Sequence, residues 1–564
     1  MKTNLWKLSC MAWAMAAIVT GCNQNNELGT PAPSGEEDVL NVVATANDFV
    51  SSDATSRIID TNYTTTFEAG DNIGVFVVRD GEALVSNMKM TLGSDNAWAG
   101  ENGAKLYYYK DADYIAYSPY TEGLSVTLED EILEDEIISH FTTKLQGSTG
   151  QSTLADYQAA DLMTASVVAA NVTRGQNITF SFAHKMSMIE IKVPIRAYKT
   201  KGGYEYSAPL GLKVTMAEES ATGKDFSLCS FGKETITENE SEVTKGIYRC
   251  IVAPSEAALT VEGEFLDGSA PVYFPAANGT ALSVTPEAGK YKRIDVKYDY
   301  ADHSGIVERN LQVGDYYYAD GSICPWDMKN IPSNGCVGVI FSTTTSAADT
   351  GLGWSNGYVM SLFDTDDINT KYSWSTVNED IPNLKLYEKS VDSFTSAFAD
   401  YDGYSATQAI LAATSYSPTV YAAVNAAVTY DKEIPSSTSG WYLPSVGQVA
   451  LIINELGAKK GTKPTSLFTP QNAMDGLSGG SGKFDQNRGA PEAMQALQNA
   501  LQKVKGEFYY LPDESYGYRW WTSSGVSNDN AKAWAIDTNK SKFLLYDASK
   551  SETGNMHVRP VFAF

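Results

Sequence analysis

From residue 39 to about residue 300 the chain alternates apolar and polar residues with a period of two. That pattern fits strands and little else. In "VLNVVATA" Leu40, Val42, Ala44 and Ala46 share one face. In "SMIEIKVPI" Ile189, Ile191, Val193 and Ile195 lie inside, with Glu190 and Lys192 outside. "RIDVKYDY" sets Ile294, Val296, Tyr298 and Tyr300 against Arg293, Asp295, Lys297 and Asp299. Strands of this kind bury one face and wet the other. Gly-Asp, Asn-Gly and Pro-rich turns separate them, and no long amphipathic helix is evident. The pattern predicts two stacked β-sandwiches, residues 39–170 and 171–300, divided near residues 165–180.

After residue 300 the texture changes. "ADHSGIVERN" (301–310) reads as a linker, and 311–564 as an α+β unit. "PSVGQVALIINELGAKK" opens on Ser445 with Gln448 three positions later, a capping-box pair. Val446, Val449, Ile453 and Leu456 then share one helical face, and Gly457 stands where a helix stops. "APEAMQALQNALQKVKGE" repeats the pattern with Met494, Leu497, Leu501 and Val504. "TVYAAVNAAVTY" is a third helix, and "GCVGVIFST", "RWWTSS", "KAWAID" and "HVRPVFAF" are strands.

The net charge of −26 over 564 residues excludes nucleic acid as a partner, because phosphate contacts need Lys and Arg. Lys2 and Lys7 precede the short apolar run "LSCMAWAMAAIV" and then "VTGC". Residues 1–22 therefore read as a lipoprotein signal peptide, with Cys22 as the lipidated residue. Residues 23–38 read as a disordered tether rich in Pro, Gly and polar residues. Outside the cell disulfides persist, so Cys229, Cys250, Cys324 and Cys336 are candidates. Cys229–Cys250 with Cys324–Cys336 is the local choice among three connectivities. Neither these cysteines nor the four histidines show a metal-ligand spacing, so no metal or cofactor is expected.

Several phrases in the first half occur in a telling order. They are "FEAGDNIGVFVV", "DYIAYSPY", "DYQAADLMTA", "FSFAHKMSMIEIKV", "CIVAPSE" and "PEAGKYKRIDVKY". Together they resemble the fimbrillin family, pilus subunits of Bacteroidota, over residues 39–300. The resemblance implies transthyretin-like, Greek-key sandwiches and export to the outer membrane as a lipid-anchored precursor. It also implies a protease cut after an arginine that follows the first strand. No Lys or Arg occurs between Lys7 and Arg57. Arg57 and Ile58 thus flank the implied cut, and "VLNVVATA" is the implied removable strand. A strand from another fimbrial subunit would fill the groove it leaves, by β-strand addition.

The second half resembles a C-type-lectin-like domain. The resemblance rests on "GDYYYADGS", "DGYSATQAI", "GWYLPSVGQVALI", "WWTSSGVSNDNAKAWAID" and "MHVRPVFAF". "WYLPS" is also similar to formylglycine-generating enzymes, but no cysteine follows Cys336 to support that activity. The tripeptides of calcium-dependent sugar sites are missing as well. Residues expected to meet a glycan, or a host or bacterial surface protein, are Tyr516, Tyr518, Trp520, Asn528 and Asp529, with Trp521 and Trp534 in the core. The whole chain thus reads as a non-enzymatic, adhesive subunit near a fimbrial tip. Its "HVRPVFAF" belongs to the lectin-like unit and not to a neighbour. The rival reading is an outer-membrane glycan-binding lipoprotein of a nutrient-uptake system that does not polymerise.

Overall fold

The computed structural model describes residues 38–52, 63–124, 126, 133–147, 150–218, 223–238, 240, 241–268, 270–276, 279–300, 303–366, 369–458, 468–477, 490–508, 518–539 and 542–564. Its first sheet has seven strands. From edge to edge these are β1 (Asn41–Ala46), β8 (Asn177–His184), β7 (Met163–Val167), β6 (Asp113–Ser118), β3 (Asn72–Arg79), β4 (Glu82–Leu92) and β5 (Trp98–Gly100). The sheet curls until its edges approach, and Val39 bridges to Tyr107. Leu40, Val42, Ile73, Val75, Tyr114, Phe180 and Phe182 fill the inside. β8 lies inside this sheet, so the division falls between His184 and Ser187 and not at 170/171.

On the outer face, Phe76 and Tyr117 pack under two helices, α1 (Leu133–Gly147) and α2 (Leu154–Ala160). A 15-residue helix among the first 300 residues corrects the expectation of strands alone. Its sequence signal is the spacing of Leu133, Ile137 and Phe141, together with Glu134, Asp135 and Glu136 at the positive end of the helix dipole. Met186, Met188, Ile251 and Tyr291 complete the same cluster from the next sheet.

That sheet runs β14 (Cys229–Glu238), β15 (Ser241–Val252), β9 (Ser187–Pro194), β19 (Lys290–Asp295) and β2 (Val50–Ser51). It faces another built from β13 (Lys224–Phe226), β12 (Lys213–Glu218), β16 (Leu259–Asp267) and β17 (Ala270–Phe274), with β18 (Leu282–Val284) on β16. Ile189, Ile191, Val193, Val214, Cys250, Val261 and Phe265 lie between them. β9 is buried on both faces, which corrects the expectation of a wet one. Glu190 is fully buried, with Arg249 Nε at 2.9 Å and Arg293 Nε at 2.8 Å. Tyr63 covers it, donating to its carboxylate at 2.7 Å. A charge tolerates such burial only when paired and hydrogen-bonded.

β10 (Ala197–Lys199) joins β11 (Glu205–Ser207) and β20 (Ile306–Glu308) in a small sheet. The expected linker therefore contains a strand. Beyond it one sheet runs β22 (Ile323–Cys324), β21 (Tyr316–Tyr318), β23 (Cys336–Ser342), β24 (Tyr358–Ser361) and β30 (Val561–Ala563). The other runs β25 (Leu386–Tyr387), β26 (Tyr518–Val526), β27 (Lys532–Asn539) and β28 (Lys542–Ser549), with β29 (Met556–His557) on β26. Helices α3 (Ala347–Gly351), α4 (Val391–Phe398), α5 (Gly403–Leu411), α6 (Ala422–Val428), α7 (Val446–Leu456), α8 (Pro470–Leu477) and α9 (Ala490–Gln502) pack around them. The capping box of Ser445 and Gln448 opens α7, whose Val446, Val449, Ile453 and Leu456 are buried.

Candidate functional site

Residues 38–52 form a strap across two sheets. β1 is the edge strand of the first sheet and runs parallel to β8, from Asn41 opposite Asn177 to Ala46 opposite Phe182. Leu40 and Val42 are buried, and Ala44 and Ala46 pack against the same core, as the alternation predicts. β2 is the edge strand of the second sandwich, with Val50 N donating to Gly289 O at 3.0 Å and Ser52 N to Tyr291 O at 2.9 Å. Between them Phe49 stacks on the His184 ring at 3.7 Å. His184 Nδ1 meets Asp161 at 2.8 Å and Nε2 meets Thr65 Oγ1 at 3.2 Å. The histidine therefore shapes the seat of Phe49.

The chain is pinned again at Tyr63, whose ring stacks on Tyr291 at 4.2 Å while its hydroxyl binds Glu190. Burial raises that phenol's pKa, and the Glu190 carboxylate raises it further. Arg57 and Ile58 stand between these two anchors in sequence, but they lie outside the described residues, as do Cys22 and Tyr516.

Of the aromatic residues expected to face a ligand, the two among the described residues do not. Tyr518 and Trp520 are both fully buried. Tyr518 stacks on His557 at 3.9 Å and donates to Asp364. Trp520 Nε1 lies 3.4 Å from the same carboxylate, beneath the Arg559 guanidinium. Arg559 Nε closes the cluster on Asp364 at 2.5 Å. A β-strand sends alternate side chains to one face, and on β26 that face is the core. Trp521 and Trp534 are buried as expected.

Asn528 and Asp529 sit in a loop joining β26 to β27, where Asn528 adopts a left-handed φ of 60°. The loop forms one wall of a 470 Å³ cleft. Glu379, Asp380, Ile381, Leu384 and Leu386 form the other wall. Glu379 accepts from Ser415 at 2.6 Å and from Tyr421 at 2.9 Å, and these bonds lower its pKa. Among the described residues no group of three or more His, Cys, Asp or Glu could hold a metal ion.

The four cysteines are unpaired thiols, which corrects the expected bridges. Cys229 lies opposite Arg249, so Cys250 points to the other face of the sheet and into another core. Cys324 and Cys336 flank β21 on opposite sides. Two strand spacings put their backbones about 9–10 Å apart, beyond disulfide reach.

Residues 57–314 match the fimbrillin-like family. This part of the chain is therefore fimbrillin-like in sequence. A Bacteroides ovatus protein named as a candidate fimbrium tip subunit, Fim1C, is 29% identical over 348 residues, covering 60% of this chain. The match spans 59% of that relative's length. A crystal structure of a Bacteroides ovatus fimbrial protein aligns over 94% of this chain and 100% of its own, at 20% identity and a TM-score of 0.46. A candidate cell adhesion protein from the same organism aligns over 48% of this chain and 99% of its own, at 16% identity and a TM-score of 0.28. The likeness to that family rests on the sequence matches.

Proposed function

We propose that this chain is a non-enzymatic, adhesive subunit of a cell-surface fimbrium, exported to the outer membrane as a precursor lipidated on Cys22. A protease cuts after Arg57, the strap leaves, and a strand of another subunit takes its place. The observation that carries this reading is the strap itself. It forms an edge of the first sheet and an edge of the second sandwich at once, and its departure would open the edges of β8 and β19 together. Unpaired edges of this kind are templates for an incoming strand.

The subunit sits at the fimbrial tip. Residues 556–564 are paired within their own sheets, with β30 on β24, so they are committed and cannot fill a neighbour's groove. Residues 311–564 act as a C-type-lectin-like head that binds a glycan or a surface protein through its loops, Asn528 and Asp529 among them. The name of the Fim1C relative is in keeping with this position.

N-terminal sequencing of the protein in sheared fibres tests the assembly step. Ile58 is the expected first residue, and Arg57→Ala should leave the precursor uncut and unassembled. Cys22 as the first residue of fibre-borne protein would overturn the mechanism in favour of the glycan-binding lipoprotein.

A further inference from the structure

At the floor of the cleft beside Asn528 stands a cation, Lys550, with no carboxylate salt bridge among the described residues. Lys550 is only 4% exposed. Its backbone is engaged on both sides, N–H to Ala531 O at 2.8 Å and carbonyl to Ser375 N at 3.0 Å. Its ammonium rests 4.6 Å from the centre of the buried Trp374 ring. No hydrogen-bond acceptor for that ammonium is found among the described residues. The carboxylates whose field it feels are Asp380, Glu379 and Asp529, and all three line the cleft. A ring face steadies a cation but takes none of its three hydrogen bonds. The ammonium opens onto the cleft, so water meets it there until a ligand group displaces that water and takes over its hydrogen bonds.

The surroundings define what can enter. The second lysine of the cleft, Lys532, is already paired with Asp547 at 3.1 Å and Asp529 at 3.4 Å. With Glu379 and Asp380 opposite, the field at the mouth is negative. An acid is repelled there, whereas a cation would satisfy Asp380 but be repelled by Lys550. A hydroxyl can accept from the ammonium and donate to a carboxylate at once. The amides of Asn528 and Asn530 offer the same two-way bonding to a neighbouring hydroxyl. Ile381, Leu384, Leu386 and Val526 supply an apolar wall, with Leu386 52% exposed. A volume of 470 Å³ lies within the range of about 300–1,000 Å³ common for small-ligand sites.

We propose that the cleft between residues 379–386 and 526–532 binds a neutral sugar residue of a glycan, with Lys550 and Asp380 on adjacent hydroxyls and the C–H face of the ring against Leu384 and Leu386. The proposal rests on the adhesive reading of the head and narrows its ligand to a neutral carbohydrate.

The test uses the full-length chain on an array of neutral, sialylated and uronate-containing oligosaccharides, beside a cell-binding assay. Binding to neutral glycans is expected, and Lys550→Met and Asp380→Asn should each weaken it by about tenfold or more. Asn528→Gly keeps the left-handed backbone, removes the amide and should weaken it as well. Melting midpoints control for folding. If Lys550→Met unfolds the head, the exposed Asp380 carries the test alone. Preference for acidic glycans, or unchanged neutral-glycan binding by the folded variants, overturns the proposal and leaves the adhesive head standing. So does binding to cells without binding to any glycan. A wild-type chain that binds neither glycans nor cells overturns both.

Discussion

At the scale of single residues, one carboxylate organises the core of the C-terminal unit. Asp364 gathers Tyr518, Trp520 and Arg559, all buried with it. Breaking a buried, hydrogen-bonded ion pair typically costs about 3–5 kcal/mol. Arg559→Met should therefore lower the denaturant midpoint of the head sharply, and Trp520→Ala should act the same way. A Trp520 variant that lost glycan binding while keeping wild-type stability would contradict this structure. His557, stacked on Tyr518, adds a pH dependence. Burial pushes its pKa down to about 4 from an ordinary 6.5, against the opposing field of Asp364 and aided by Lys371. The unfolded chain then holds more protons between those values. The contribution is present above about pH 6.5 and is lost as pH falls towards 4. Urea midpoints at pH 7 and pH 4.5 should differ less in His557→Gln than in wild type. Asn528 and Asp529 were legible in the sequence because amides and acids crowd one short loop. Glu379 and Lys550 were not, because backbone pairing of Lys550 with Ala531 and Ser375 brings them to the cleft from far along the chain.

At the scale of elements, the strap is held by more than β1. Six residues pair with β8, Phe49 is seated on His184, and two further hydrogen bonds run from Val50 and Ser52 to the β19 edge. A nick after Arg57 should consequently leave residues 38–57 bound. Native gel filtration of nicked protein should retain the fragment, and denaturing gels should release it. A labelled synthetic peptide of residues 38–52 should then exchange in slowly. The same peptide carrying Val42→Lys and Phe49→Ala should fail, because it places a charge in the core and empties the aromatic seat. Immediate loss of the fragment on nicking would refute this account of the strap. The alternation of Leu40, Val42, Ala44 and Ala46 made β1 readable in advance. The placement of β8 was not readable, since a strand's partner is fixed by tertiary packing and not by its own period. The same reason hid the buried state of Glu190 on β9: its partners Arg249 and Arg293 come from the strands on either side.

At the scale of the whole molecule, the junction between the second sandwich and the head is a packed core. Tyr198, Tyr206 and Ala208 on one side meet Tyr317, Ile340, Val359, Phe562 and Phe564 on the other. Beside them Arg309 grips the fully buried Asp315 through both terminal nitrogens, at 2.8 Å and 2.9 Å. Residues 301–310 read as a linker because the stretch is polar and short. Ile306–Glu308 instead form a strand, and Arg309 neutralises a charge inside the next unit. A chain cut at 310/311 would strand Asp315 without its guanidinium and bare the aromatic face around Phe562 and Phe564. Both changes disfavour the isolated head, the first by several kcal/mol. Residues 311–564 alone should therefore melt well below the head within the full chain, and should self-associate in sedimentation. Arg309→Met in the full chain separates the two effects, because it removes the ion pair and keeps the apolar cover. It should lower the melting midpoint of the head without causing association. Equal midpoints for isolated and intact heads would mean that the junction is only a surface contact. The head would then swing freely on the sandwiches instead of being carried as their rigid extension.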